Sequence, residues 1–151
     1  MPYLYTLTHK GRILAGGNKR ADKIRVDRIN HDIYVVETVI YYLTKYDIPL
    51  KEIESEKELH IKDGFGTYKH QPDFIFHHEN QSYAVEVELN LKAKARLEKN
   101  IKDNYLKYDY QVWVTNDNKV FNAIQSYLNI YSNIVLVRLE EVEEYVRCRY
   151  V

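Results

Sequence analysis

Apolar residues recur along the chain with two spacings, one typical of helices and one typical of strands. From Val26 to about Tyr46 the spacing is helical, which predicts one long amphipathic helix ending before Asp47-Ile48-Pro49. Weak alternation over 50–61 favours a strand. The remaining predicted helices lie at 8–15, 91–108, 118–128 and 140–146, and the remaining predicted strands at 3–7, 72–77, 82–89, 111–115 and 134–139.

This order of elements predicts an α/β fold with a central mixed sheet flanked by helices. The strands at 72–77 and 82–89 are close enough in sequence to form a hairpin, so the early strands are expected to be antiparallel. Later strands alternate with helices, which indicates parallel crossovers. At 151 residues the chain is long enough to bury a core as one domain.

Acidic residues interrupt the two central apolar strands. Glu86 and Glu88 share a strand face with Ala84, because side chains alternate along a strand, and Asp73 opens the neighbouring strand. Carboxylates in such surroundings are costly unless water, a cation or a partner satisfies them. Three converging carboxylates would suit one hard divalent cation, as in a magnesium-dependent phosphodiesterase. The ordinary alternative is a sheet face in contact with water.

A family resemblance rests on these acids and their order. Pro72-Asp73, a hairpin, Glu86-Val87-Glu88 and a basic helix are similar to the PD-(D/E)XK nuclease-like superfamily. Within it the chain looks most like the replication-relaxation group of plasmids and mobile elements, and the further residues that carry this likeness are 5–16, 30–32, Lys92 and Arg96.

The resemblance implies a restriction-endonuclease-like αβββαβ core over residues 26–151. A remnant of a winged-helix strand and helix would precede it at 1–17, followed by a basic linker at 18–25. Two positions depart from the family pattern. Glu88 stands where the superfamily has its lysine, so the positive charge would come from Lys92, one turn into the predicted helix. Residues 3–16 resemble only the last strand and terminal helix of the winged-helix domain that often comes first.

The resemblance also implies a DNA-binding protein of plasmid or mobile-element replication or transfer, with DNA and a relaxase or replication protein as partners. As an enzyme it would cleave a phosphodiester with Mg²⁺ or Mn²⁺. Asp73 and Glu86 would bind the metal, Glu88 would bind it or orient the water, and Lys92 would offset charge on the phosphate. The alternative is a catalytically silent module of the same fold that binds DNA or a protein partner.

Charge is unevenly distributed although the net charge is zero. Basic residues concentrate at 9–28 and 92–107, which predicts a nucleic-acid face; a solvated helix face is the ordinary alternative. The candidate nucleic-acid contacts are Lys19, Arg20, Lys92, Arg96 and Lys99. The candidate accessory residues at the acidic site are His31, Glu37 and Gln71.

Several other classes of protein are disfavoured. No stretch approaches the roughly 18 apolar residues of a membrane span, and the N-terminus lacks the apolar core of a signal peptide, so a cytoplasmic protein is expected. A single cysteine, Cys148, excludes an intrachain disulfide and a cysteine-rich zinc site. His77 and His78 would point to opposite faces of a strand and so would not readily share an ion. The fifteen tyrosines fit a core edged by phenols or stacking on unpaired bases.

Overall fold

The computed structural model describes residues 28–64 and 70–150. These residues form five α-helices and five strands, two of which follow one another directly, and a short 3₁₀ helix at Leu50–Glu52 precedes the first of the five strands. The helices are α1 (Ile29–Lys45), α2 (Glu56–Asp63), α3 (Lys94–Lys107), α4 (Asn118–Gln125) and α5 (Leu139–Tyr150). The strands are β1 (Ile53–Ser55), β2 (Phe74–His78), β3 (Gln81–Val87), β4 (Tyr110–Thr115) and β5 (Ile134–Arg138).

The strands form one mixed sheet in the order β1-β2-β3-β4-β5. β1, β2 and β3 are antiparallel neighbours, whereas β4 and β5 continue the sheet in parallel. Glu79 and Asn80 join β2 to β3 with positive φ values of 51° and 62°, the backbone conformation of a tight hairpin turn. The parallel neighbours are reached through the crossover helices α3 and α4, as parallel pairing requires.

Helices cover both faces of the sheet. On one face, buried residues of α1 and α5 pack against alternate strand residues such as Val85 and Val87. On the other face, α3 and α4 enclose Trp113 of β4, while Leu59 of α2 packs near Ala84 of β3. Glu86 pairs in register with Trp113 and therefore belongs to this second face. The fold thus directs Glu86 towards α3.

The structure confirms the α/β class and the mixed sheet flanked by helices. The long first helix, the hairpin, and the later strands and helices all form at or near their predicted bounds. The restriction-endonuclease-like identity of the core and the domain boundaries stay predictions. The strand and helix predicted within residues 3–16 and the basic linker lie outside the described residues.

Two local predictions were wrong. Residues 50–61 form a strand only over Ile53–Ser55, because Ser55 and Glu58 build a capping box that starts α2. Glu58 Oε2 accepts the Ser55 backbone N–H at 2.7 Å. The helix predicted from residue 91 begins at Lys94, so Lys92 lies in the connection after β3 rather than one turn into the helix.

Candidate functional site

The predicted acids meet in a cavity of about 400 Å³ at the carboxyl end of β3. Asp73, Glu86 and Glu88 all line it, together with Glu56 from the start of α2. Five basic side chains line it as well: Arg28 and His31 at the start of α1, His70 before β2, Lys92 between β3 and α3, and Arg96 in the first turn of α3. The cavity therefore combines four carboxylates with five basic groups.

Asp73 precedes β2 and is fixed by two contacts. Its Oδ2 accepts the backbone N–H of Val87 at 2.7 Å and lies 3.4 Å from His31 Nε2. The same His31 nitrogen donates to the Val87 carbonyl oxygen at 3.0 Å, which ties the first turn of α1 to the end of β3. The Asp73 hydrogen bond outweighs partial burial and raises the pKa of His31 to about 9. His31 is therefore a cation at neutral pH.

Glu86 projects from β3 beneath α3 and is 3% exposed. Its Oε1 makes a short contact with His70 Nε2 and accepts the Asn104 side-chain N–H at 3.1 Å. Asn104 is itself buried on α3. A nearly inaccessible carboxylate is thus satisfied by two polar side chains that arrive from different parts of the chain.

Glu88 follows β3 and extends its pairing, because its backbone N–H donates to the Val114 carbonyl oxygen at 2.9 Å. Its side chain is buried, and its Oε2 contacts Lys92 Nζ. Burial raises the pKa of Glu88; Lys92 opposes this effect, and Glu86 and Asp73 add to it. Asp73 and Glu86 are therefore close enough to Glu88 to act on its charge.

The other predicted residues divide between the cavity and its surroundings. Gln71 lines the cavity, donates to Asp63, and accepts from Lys107 Nζ at 3.1 Å. Arg96 also lines it, whereas Lys99 pairs with Asp103 at 2.8 Å outside it.

Glu37 is not brought to the cavity. It lies within the electrostatic reach of Glu143 and Arg147 of α5, and burial raises its pKa. Its buried Oε2 has no hydrogen-bond partner within the part of the chain that the structure describes. Glu37 therefore belongs to the α1–α5 contact and not to the acidic cavity. Lys19 and Arg20 lie outside the described residues.

The donor chemistry of the cavity suits a hard cation, because Asp73, Glu86 and Glu88 offer oxygen ligands. Their present arrangement does not: over residues 28–64 and 70–150, no three His, Cys, Asp or Glu side chains are grouped to hold a metal ion. Each of the three acids instead has a basic partner from the chain, namely His31, His70 and Lys92. Metal ligation would therefore need at least some of these pairs to open.

Sequence reasoning did not assign a role at the site to His70, Asn104, Glu56 or Arg28. His70 lies four positions before a strand, and only the folded chain places it against Glu86. Asn104 carried a usable signal, because it occupies the buried face of α3 together with Leu97 and Ile101. Asn100 is buried on the same face, and buried amides on the inner face of a helix indicate polar partners nearby.

Compared with protein-family models, curated proteins and solved structures, the chain matches none of them. None of the helices within residues 28–64 and 70–150 combines the length and hydropathy of a membrane span.

Proposed function

We propose that this chain is a DNA-binding, nuclease-like protein of plasmid or mobile-element replication or transfer, with a metal-dependent phosphodiesterase site at the carboxyl end of β3. The observation that carries the proposal is the shared cavity, in which Asp73, Glu86 and Glu88 stand beside Lys92 and Arg96. Acids to hold a divalent cation and bases to face a phosphate are the two components that this chemistry needs. The mixed five-stranded sheet flanked by helices agrees with the coarse α/β class that the proposal assumes.

In this reaction the oxygen of a water molecule would bond to phosphorus, and the bond from phosphorus to one ester oxygen would break. Asp73, Glu86 and Glu88 would hold Mg²⁺ or Mn²⁺, which supplies Lewis-acid stabilisation of the phosphate and an activated water. Lys92 Nζ, beside Glu88, would balance the negative charge that develops on the phosphate oxygens. Arg96 would position the same phosphate from the first turn of α3.

His31 has a separate role in this scheme. Through Asp73 and the Val87 carbonyl it fixes the first acid relative to the end of β3. It is therefore a positioning residue, since its hydrogen-bonding contacts are with the acid and the backbone.

A second candidate function is a catalytically silent module of the same fold that binds DNA or a relaxase-type protein. The observation that favours it is the pairing of each acid with a base from the chain itself. With Glu86 held by His70 and Asn104, the carboxylates already have the partners that a cation would otherwise provide.

Calorimetric titration with Mg²⁺ and Mn²⁺, paired with a nicking assay on supercoiled and single-stranded DNA, separates the two functions. The wild type should bind the ion at millimolar concentration or below and nick DNA only in its presence. Asp73→Asn keeps an oxygen that can accept from Val87, so it should preserve the fold while abolishing ion binding. Lys92→Ala should bind the ion and cleave on the order of 10²-fold more slowly.

Lys57→Ala, on the exposed surface of α2, is the matched control for loss of one lysine. It should leave both readouts unchanged. DNA binding without ion binding or cleavage by the wild type would reject the phosphodiesterase and leave the silent module. Absence of DNA binding at low salt would reject both DNA-binding functions.

A further inference from the structure

We infer that the groove beside the acidic cavity is a second nucleotide subsite, which binds the backbone phosphate next to the one held at the acids. This inference rests on the proposed function and specifies the path of the strand across the protein. The groove has a volume of about 300 Å³ and is lined by His70, Lys99, Asp103, Asn104, Leu106 and Lys107. That volume is at the lower end of the range for small-ligand sites, which suits one nucleotide unit.

The two cavities share a wall. His70 lines both of them, and Asn104 lines the groove while donating to Glu86 inside the acidic cavity. Both side chains that hold Glu86 therefore also face the groove. Occupants of the two cavities would both border the His70 side chain, so successive units of a single strand could fill them.

Three basic residues follow one line along α3. They are Arg96, Lys99 and Lys107, and Asp103 lies between the two lysines; the spacings of three, four and four residues place all four on one helix face. The eleven steps from Arg96 to Lys107 rise by about 16 Å. A duplex strand advances about 3.4 Å per phosphate, so this length accommodates the phosphate at the acids and the phosphate next to it.

The lysines of the groove can exchange their present partners for a phosphate. Lys99 pairs with Asp103, but the two side chains are 62% and 40% exposed, and such a pair contributes little to stability. Lys107 donates to the neutral Gln71 oxygen, so its charge is not neutralised by that contact. Two cations against one carboxylate leave the groove suited to an anion.

The cavity past the amino end of α3 has a different lining. Its surface is mainly apolar, although Lys92 and Lys94 also line it, and Lys92 already contacts Glu88. A phosphate in that cavity would gain the charge of Lys94 but would lose water against the apolar wall. The groove instead contains both side chains that hold Glu86, which favours a strand path along α3 towards Lys107.

The test measures fluorescence anisotropy of labelled thymidine oligonucleotides from two to eight nucleotides long, at low salt and without metal. For the wild type, affinity should rise with length until the strand fills both subsites. Lys99→Ala/Lys107→Ala should weaken the longer oligonucleotides about tenfold and affect the dinucleotide less. It should also reduce the salt dependence by up to about 0.7 per lost phosphate contact.

The matched control is Lys57→Ala/Lys102→Ala, which removes the same charge from exposed positions that line neither cavity. It should change affinity less than twofold. The single variant Lys99→Ala checks that loss of binding does not come from misfolding, since Lys99 and its partner Asp103 both lie at the exposed surface of α3. Its melting temperature should match that of the wild type.

An equal loss in the control and groove variants would overturn the second subsite, because net charge would then explain the binding. Unchanged binding by the groove variants, with loss on Lys92→Ala or Arg96→Ala, would overturn the subsite and leave the proposed function standing. No binding of any oligonucleotide by the wild type would overturn both.

Discussion

Removing His70 is the sharpest perturbation of the acidic cavity, because it strips one partner from a carboxylate that is only 3% exposed. In His70→Ala, Glu86 would keep the Asn104 hydrogen bond of 3.1 Å and lose the imidazole. A hydrogen bond to a charged group contributes about 1.5–3 kcal/mol.

Glu86 keeps the Asn104 hydrogen bond, and water can enter the space left by the imidazole. The free energy of unfolding is therefore expected to decrease by about 2–3 kcal/mol. For a chain of this size each kcal/mol shifts the melting temperature by about 2–4 °C, so a decrease of about 4–12 °C is expected. Urea unfolding followed by circular dichroism would measure the free energy directly, with thermal melting as a second reading.

His60→Ala is the matched control. His60 lies 3.6 Å from Glu56 across one turn of α2, and both side chains are more than 40% exposed. This exposed pair should contribute less than about 1 kcal/mol. If His70→Ala cost no more than His60→Ala, the contact between His70 and Glu86 would not hold the site together, and our reasoning about the paired acids would fail.

Three further outcomes are expected. Asp73 raises the pKa of His31 to about 9, so the contact between them stabilises the folded protein fully below about pH 6.5 and loses this effect as pH rises through about 9. Urea unfolding at several pH values should show this loss in the wild type but not in His31→Gln. The total change should be at most about 3 kcal/mol. Burial raises the pKa of Glu37, so Glu37→Leu should stabilise the protein by about 0.5–1 kcal/mol at pH 7, with a smaller gain near pH 4, whereas a loss at pH 7 would contradict this. Duplex DNA affinity should fall with salt at a log–log slope of about −0.9 per phosphate neutralised, and a flat salt titration would point to a protein partner.

The predictable part of this structure was encoded locally. Helical spacing fixed α1, and the alternation of acids with valines placed Glu86 on the face opposite Val85 and Val87. The short link between two apolar runs was sufficient for the β2–β3 hairpin. Each of these signals extends over a few residues, so these elements could be predicted without knowing which distant parts of the chain come together.

The unpredicted part depends on contacts between distant residues. His70 and Glu86 are 16 positions apart, and Asn104 is 18 positions beyond Glu86. Periodicity carries no information about which loop residue will meet which strand residue. The start of α2 was missed for a different reason, since the capping signal at Ser55 competes with an alternation that extends through the same residues.

The pairing of each acid with a base from the chain has a consequence for how the protein reaches its native state. A site whose carboxylates faced one another unpaired would depend on an ion to fold, as many small metal-binding domains do. Here three basic side chains of the same polypeptide supply that compensation, namely His31, His70 and Lys92. The chain should therefore fold completely in the presence of a strong chelator. Any ion that it binds would bind reversibly to the folded protein and would not be needed for folding.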